Sequence, residues 1–145
     1  MGELIFKKLV EEEGLALSFE ITSCGTSSYE VGNCIYPPAQ RVLKSHGVCG
    51  SHTARQIQKR DIVNCDYILC MDSNNLLDVL RLAGSEYGGK VYKLLSFTGE
   101  ARDVADPWYT GDFERAYADI YNGCRAFLQF LLTQHGAELD YDRRH

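Results

Sequence analysis

The 145-residue sequence lacks both a long apolar run and a basic stretch. A membrane-spanning helix needs about 20 consecutive apolar residues, so the sequence excludes an integral membrane protein. The formal net charge of −5 argues against nucleic acid as a ligand, because phosphate backbones are bound by clustered Lys and Arg. The first residues also lack the pattern of a secretory signal. We therefore expect a cytoplasmic protein that binds neither nucleic acid nor membranes.

Zinc-site spacing is missing as well, although the chain has six cysteines. No metal and no other cofactor is expected. Dispersed cysteines in a domain with 45% hydrophobic residues are typical of reduced thiols in a cytoplasm, and a disulfide scaffold is the alternative.

The segments that are present alternate between strand and helix patterns. Strands are predicted at 17–24, 66–71 and 90–96, where β-branched and aromatic residues stand between turn residues. Helices are predicted at 2–12, 37–47, 74–84 and from Phe113 to Gly136, with Asp72 or Ser73 and Asp112 as N-caps. This alternation predicts an α/β fold with a parallel sheet. We assign residues 1–136 to one domain and residues 137–145 to a polar tail.

Asp106 is a candidate catalytic residue because it precedes Pro107, Trp108 and Tyr109. A residue before proline adopts an extended or turn conformation, which places this carboxyl group on a loop. One interpretation is a general acid beside aromatic side chains that hold a flat substrate. The other interpretation is an ordinary Asp-Pro turn that leads into the last helix.

The stretch HGVCGSHTAR contains Cys49 and Arg55 with five residues between them, which is the spacing used by enzymes that attack phosphate esters with a thiolate. A phosphate cradle needs several curled backbone N–H groups, followed by the start of a helix. No strand pattern precedes Cys49, and no Ser or Thr follows Arg55. We therefore interpret this spacing as a coincidence.

Four stretches together resemble the low-molecular-weight protein-tyrosine phosphatases, in the order and at the spacing of that family. The stretches are SCGTSSYEVGN (23–33), KSHGVCGSHTARQI (44–57), DYILCMDSNNL (66–76) and ADPWYTGDFERAY (105–117). The resemblance implies a three-layer, doubly wound fold, in which a four-stranded parallel sheet has helices on both faces. It also implies hydrolysis of phosphotyrosine proteins or small aryl phosphates through a cysteinyl-phosphate intermediate.

The resemblance implies a role for eight residues. Asp106 matches the family's general acid and base. The residues that match the walls of the substrate cleft are Tyr29, Glu30, Asn33, Trp108 and Tyr109. Ser23 and His52 match residues that support the nucleophile loop.

The family's nucleophile loop lies between its first strand and first helix, and MGELIFKKLV resembles that helix. The nucleophilic cysteine and the phosphate-binding arginine are therefore not expected within this sequence, and Ser23 and His52 are expected to lack their partner. We expect an inactive phosphatase-like chain. The alternatives are a non-catalytic phosphoprotein-binding module and a relative of the arsenate reductases.

The family's first strand is central, so its absence predicts a gap between the strands at 17–24 and 66–71. Adjacent strands lie roughly 4.8 Å apart, and a gap of twice that distance would leave two edges with unpaired backbone groups. We expect a homodimer or higher oligomer with rearranged N-terminal packing to cover these edges.

Overall fold

A computed structural model describes residues 1–25, 37–50, 55–106 and 111–135. Its helices are α1 (Gly2–Glu12), α2 (Pro37–Ser45), α3 (Lys59–Asn64), α4 (Ser73–Tyr87) and α5 (Phe113–His135). Its strands are β1 (Ile68–Cys70) and β2 (Val91–Lys93), and short 3-10 turns occupy Ala16–Ser18, Gly88–Lys90 and Leu94–Thr98. In these ranges no helix combines the length and the apolar character needed to cross a bilayer.

The predicted caps of the two longest helices are confirmed. The Asn75 N–H donates to Asp72 Oδ1 at 2.7 Å at the start of α4, and the Arg115 N–H donates to Asp112 Oδ1 at 2.9 Å at the start of α5. Each carboxylate satisfies a backbone donor that the first helical turn leaves unpaired. Gly136 and the predicted tail lie outside the described residues.

Helix α3 was not predicted, because six residues are too few to show a helical period. Gln58 and Asp61 form a reciprocal capping box at its N-terminus. The Lys59 side chain connects α3 to α4, donating to the carbonyl oxygens of Leu82 and Ala83 at 2.9 Å each. These carbonyl groups precede Gly84, whose φ of 70° interrupts α4.

Lys90, in the turn between α4 and β2, forms a second connection to α3. Its Nζ donates to the carbonyl oxygens of Cys65, at 2.6 Å, and Val63, at 3.3 Å, at the end of α3. The ammonium groups of Lys59 and Lys90 lie 5.2 and 5.0 Å from the centre of the Tyr87 ring. Both lysines therefore satisfy helix-terminal carbonyl groups while contacting one aromatic ring.

The strands β1 and β2 pair in parallel, with Ile68 opposite Val91 and Cys70 opposite Lys93. The predicted strands at 66–71 and 90–96 are thus confirmed in place but are shorter. The strand predicted at 17–24 is wrong in detail: Ala16–Ser18 forms a 3-10 turn, and the extended backbone that follows makes one parallel bridge, from Gly25 to Gln56. In the described part of the chain, β1 pairs with β2 alone.

The two faces of the sheet pack against different helices. Tyr67, Leu69 and Met71 contact a large apolar cluster built mainly from α1 and α5. Ile68 and Cys70 belong to a smaller cluster that includes buried residues of α3 and α4. Because successive strand residues point to opposite faces, helices cover both sides of the sheet. The predicted α/β class with helices on both faces is confirmed.

The larger cluster is tightest where α5 crosses the turn after β2. A Cβ atom added at Gly123 would lie 2.5 Å from Leu94 Cγ, and Leu94 is buried. A side chain at position 123 would therefore collide with a residue that has no room to move.

We predict that Gly123→Ala destabilises the protein although alanine favours helix by about 0.5–1 kcal/mol. Overpacking a core costs about 1–3 kcal/mol, so the net loss should be about 1 kcal/mol. Urea denaturation measures this difference. The matched control is Gly89→Ala, where no atom lies within 4 Å of the added Cβ; equal stability of the two variants would contradict the prediction.

Candidate active site

The segment from Gly99 to Asp106 lies at the edge where β1 and β2 end. The carboxyl ends of parallel strands share one edge of a sheet, which is where α/β proteins bind ligands. Lys93, the last residue of β2, donates to the carbonyl oxygen of Ala101 at 2.6 Å. Its Nζ also lies 2.7 Å from Asp103 Oδ1. The end of β2 therefore positions the middle of this segment.

The residue after β1 and the first residue of α4 hold the same segment. The Val104 N–H donates to the carbonyl oxygen of Met71 at 2.9 Å. Asp103 Oδ1 accepts from the Ser73 N–H at 3.0 Å and from its hydroxyl at 2.9 Å. Hydrogen bonding from Lys93 lowers the pKa of Asp103, so the carboxylate stays charged in this arrangement.

Asp119 on α5 forms a further anchor. Its Oδ1 accepts from Arg102 at 2.8 Å, and its Oδ2 accepts from Arg102 at 2.9 Å and from the Ala105 N–H at 3.0 Å. The Asp119 side chain is only 8% exposed. The hydrogen bonds from Arg102 lower the pKa of Asp119, so the buried group remains a carboxylate.

Asp106 follows directly after this anchored segment, and it is exposed. The structure thus places the candidate acid at the edge where β1 and β2 end. Each of the five residues before it, 101–105, forms a hydrogen bond to the end of a strand, to α4 or to α5. Trp108 and Tyr109 lie outside the described residues. The cleft residues Tyr29, Glu30 and Asn33 and the loop-supporting His52 lie outside them as well.

Ser23 has a partner, contrary to expectation. Its hydroxyl donates to Glu3 Oε1 at 2.9 Å, and the other oxygen of Glu3 accepts from Lys7 at 2.8 Å. Ser23 is therefore bound to the first turn of α1.

Arg55 is bound to a carboxylate. Its NH1 group donates to both oxygens of Asp61 at 3.1 Å, and Asp61 also caps α3 by accepting from the Gln58 N–H at 2.8 Å. The hydrogen bond from Arg55 lowers the pKa of Asp61. Residues 51–54, between Cys49 and Arg55, lie outside the described part of the chain. The guanidinium group of Arg55 is paired with Asp61 at the start of α3.

Burial makes several thiols poor nucleophiles. It raises the pKa of Cys70 to about 11 and that of Cys124 to about 12. It also raises the pKa of Cys24 and Cys65. A nucleophilic cysteine needs the opposite shift, because the thiolate is the reactive form. In the described ranges no three His, Cys, Asp or Glu side chains are grouped to hold a metal ion.

Sequence reasoning missed Arg102 and Asp119, although one signal was available. Asp119 lies on the apolar face of α5, beside the buried residues Ala116, Ile120 and Gly123. A charge on such a face needs a buried partner, since an unpaired buried charge is costly. The partner's identity could not be read from the sequence, because Arg102 is 17 residues away on an irregular segment.

The fold and this edge of the sheet define an α/β protein with helices on both faces of a parallel sheet and an acidic side chain at the carboxyl ends of its strands. The chain belongs to the low molecular weight phosphotyrosine protein phosphatase family, whose sequence model matches residues 1–141.

The chain is 38% identical over 137 residues to the human low molecular weight phosphotyrosine protein phosphatase, covering 89% of this chain and 85% of the relative. The crystal structure of YfkJ from Bacillus subtilis superposes with a TM-score of 0.88 at 29% identity, covering 92% of this chain and 86% of that one. The low molecular weight protein tyrosine phosphatase of Streptococcus pyogenes has a TM-score of 0.80 at 30% identity, with coverage of 94% and 87%.

Proposed function

We propose that this chain provides the acid and the scaffold of a phosphotyrosine phosphatase site, with Asp106 as the general acid. The observation that carries the proposal is the exposed Asp106 at the end of a segment anchored to both strands, α4 and α5. A rigidly held carboxyl group at the ligand-binding edge can reach a leaving-group oxygen while remaining open to water. The substrates would be phosphotyrosine proteins or small aryl phosphates.

The proposed chemistry has two steps. A thiolate attacks phosphorus, the bond to the phenolic oxygen breaks, and the carboxylic acid of Asp106 donates its proton to that oxygen. The Asp106 carboxylate then takes a proton from water, whose oxygen attacks the cysteinyl phosphate and releases phosphate and the thiolate. Backbone N–H groups and an arginine would stabilise the charge on the phosphoryl oxygens.

We further propose that these 145 residues alone do not perform the first step. Cys49 and Arg55 provide the one Cys-x5-Arg spacing in the sequence, and the Arg55 guanidinium group is paired with Asp61. The raised pKa of four other thiols also argues against a nucleophile among them. Five cysteines of the described ranges are free, which supports the proposed reducing, cytoplasmic location.

We predict that the chain does not hydrolyse p-nitrophenyl phosphate above the rate of its Cys49→Ser variant. The physical reason is that Asp61 binds the guanidinium group of Arg55, the arginine of the Cys49 spacing, which leaves it unavailable to a phosphate group. Release of p-nitrophenol, followed by absorbance, measures the rate. Turnover that Cys49→Ser abolishes would contradict the prediction. In a parallel titration, micromolar binding of a phosphotyrosine peptide without turnover would instead favour a binding module.

The role of Asp106 can be tested after a strand and nucleophile loop taken from a family member are fused before Met1. We predict that the fused chain gains activity and that Asp106→Asn lowers kcat by about 10²–10⁴-fold for poor leaving groups. The loss should be smaller for p-nitrophenol, which leaves without a proton. Asp103→Asn is the matched control, because it also removes a carboxylate from the same segment. If Asp106→Asn and the unmutated fusion showed the same dependence of rate on the leaving group, Asp106 would be removed from the mechanism.

We also propose that the chain forms a homodimer or higher oligomer through the edges flanking β1. β1 pairs with β2 alone among the described residues, and the extended residues after the Ala16–Ser18 turn form one bridge, at Gly25. Phe19 and Ile21 pack against the larger cluster, whereas Leu17 is 88% exposed. An exposed apolar side chain and an edge strand are each typical sites of association.

Size exclusion with light scattering tests this assembly. We predict a dimer or larger species at micromolar concentration, and a shift towards monomer in Leu17→Ser because the exposed apolar contact is lost. The matched control is Leu77→Ser, since Leu77 is also an exposed leucine, at 50%, but lies on α4. A monomeric wild-type chain, or equal effects of the two variants, would contradict the proposal.

A further inference from the structure

Asp119 is the charged residue that folding buries most completely within the described ranges. Burying a carboxylate costs free energy unless hydrogen bonds and an opposite charge compensate it. Here both carboxylate oxygens are used, because Arg102 binds them through NH1 and NH2 and the Ala105 N–H binds Oδ2. The guanidinium group is itself fixed by Glu100, whose Oε2 lies 3.0 Å from Arg102 Nε.

The hydrogen bond to Ala105 has a particular position. It holds the backbone N–H of Ala105, the residue that immediately precedes Asp106, the proposed acid. The same helix also holds the chain where it returns, since Asp112 Oδ1 accepts from the Arg115 N–H at 2.9 Å. The chain is therefore bound to α5 on both sides of Asp106, at Ala105 before it and at Asp112 after it.

Helix α5 is a rigid reference for these two points. It has 23 residues, and its buried residues include Tyr117, Ile120, Phe127 and Leu131 in the larger cluster with α1. The Asp119 carboxylate on this helix therefore fixes the backbone at Ala105 relative to the core. The bond from Val104 to Met71 does the same from the end of β1, but one residue further from Asp106.

We propose that Asp119, together with Arg102, is a positioning residue that sets the direction of the backbone at Asp106 through the Ala105 N–H. The inference rests on the proposed role of Asp106 as the general acid. Asp119 acts through the backbone rather than on the substrate, because it fixes the N–H of the residue that precedes the acid. An acid must be held within about 0.5 Å of its productive position, so a loss of this bond should lower proton transfer without unfolding the domain.

Amide hydrogen exchange followed by NMR tests the inference on the chain as it exists. We expect Asp119→Ala to accelerate exchange of the Ala105 N–H at least tenfold, because its acceptor is removed. Exchange of the Val104 N–H, bound to Met71, should stay within threefold. Asp119→Asn should restore slow exchange at Ala105, since the amide oxygen can still accept from it. The emission of Trp108, the single tryptophan and two residues beyond Asp106, should change in Asp119→Ala and not in Asp119→Asn.

Two further variants complete the design. Arg102→Ala removes the other half of the pair and should accelerate exchange at Ala105 at least threefold. Asp119→Ala is the variant more certain to fold, because it leaves an arginine that is 45% exposed, whereas Arg102→Ala leaves a buried carboxylate without its opposite charge. Asp78→Ala, which breaks the exposed pair of Asp78 with Arg81, is the matched control and should leave Ala105 unchanged.

The inference would be overturned if, in both Asp119→Ala and Arg102→Ala, exchange at Ala105 stayed within twofold of the wild-type rate and the emission of Trp108 stayed unshifted. Equal acceleration at Ala105, Val104 and the amides of α5 would also overturn it, because Asp119 would then stabilise the whole domain. None of these measurements uses turnover. If the leaving-group dependence of Asp106→Asn equalled that of the unmutated fusion, the acid role would be removed and the exchange results would still stand. If exchange at Ala105 were unchanged in the Asp119 and Arg102 variants, only the positioning role would be removed.

Discussion

The packing of α5 against α1 and the turn after β2 is the constraint on which the rest of the structure depends. The absence of a side chain at Gly123 lets α5 approach Leu94 closely, and this approach fixes the distance between the helix and the end of the sheet. From that position Asp119 reaches Arg102 and Ala105. The geometry of the candidate site is therefore inherited from the core, rather than being built by the loop itself.

The parts of the fold that could be predicted from the sequence are those with a clear period or a strong cap. The apolar stripe of α5 and the caps Asp72 and Asp112 were identified in this way, because a local pattern decides them. The segment at 17–24 has the composition of a strand, yet a strand also needs a neighbour to pair with. Composition carries no information about that neighbour, and here the segment is extended with one bridge at Gly25.

The candidate site was predictable in part for the same reason. Asp106 could be identified because proline and aromatic residues follow it directly in the sequence. Arg102 and Asp119 could not be paired, since their contact joins an irregular segment to the middle of a helix. The spacing of Cys49 and Arg55 illustrates the opposite error: a local pattern suggests a phosphate site, while a carboxylate six residues beyond Arg55 binds its guanidinium group.

The two apolar clusters meet at strands of only three residues each. Lys59 and Lys90 connect α3 and α4 to each other and to the turn before β2, and these bonds all lie on one side of the sheet. The layer formed by α3 and α4 is thus more strongly linked within itself than to the opposite layer. Cooperativity of unfolding depends on such links, so this layer can open as a unit of its own while α1 and α5 stay packed. We therefore expect two levels of stability, and the segment before Asp106 joins both layers, because it is bonded to Ser73 of α4 and to Asp119 of α5.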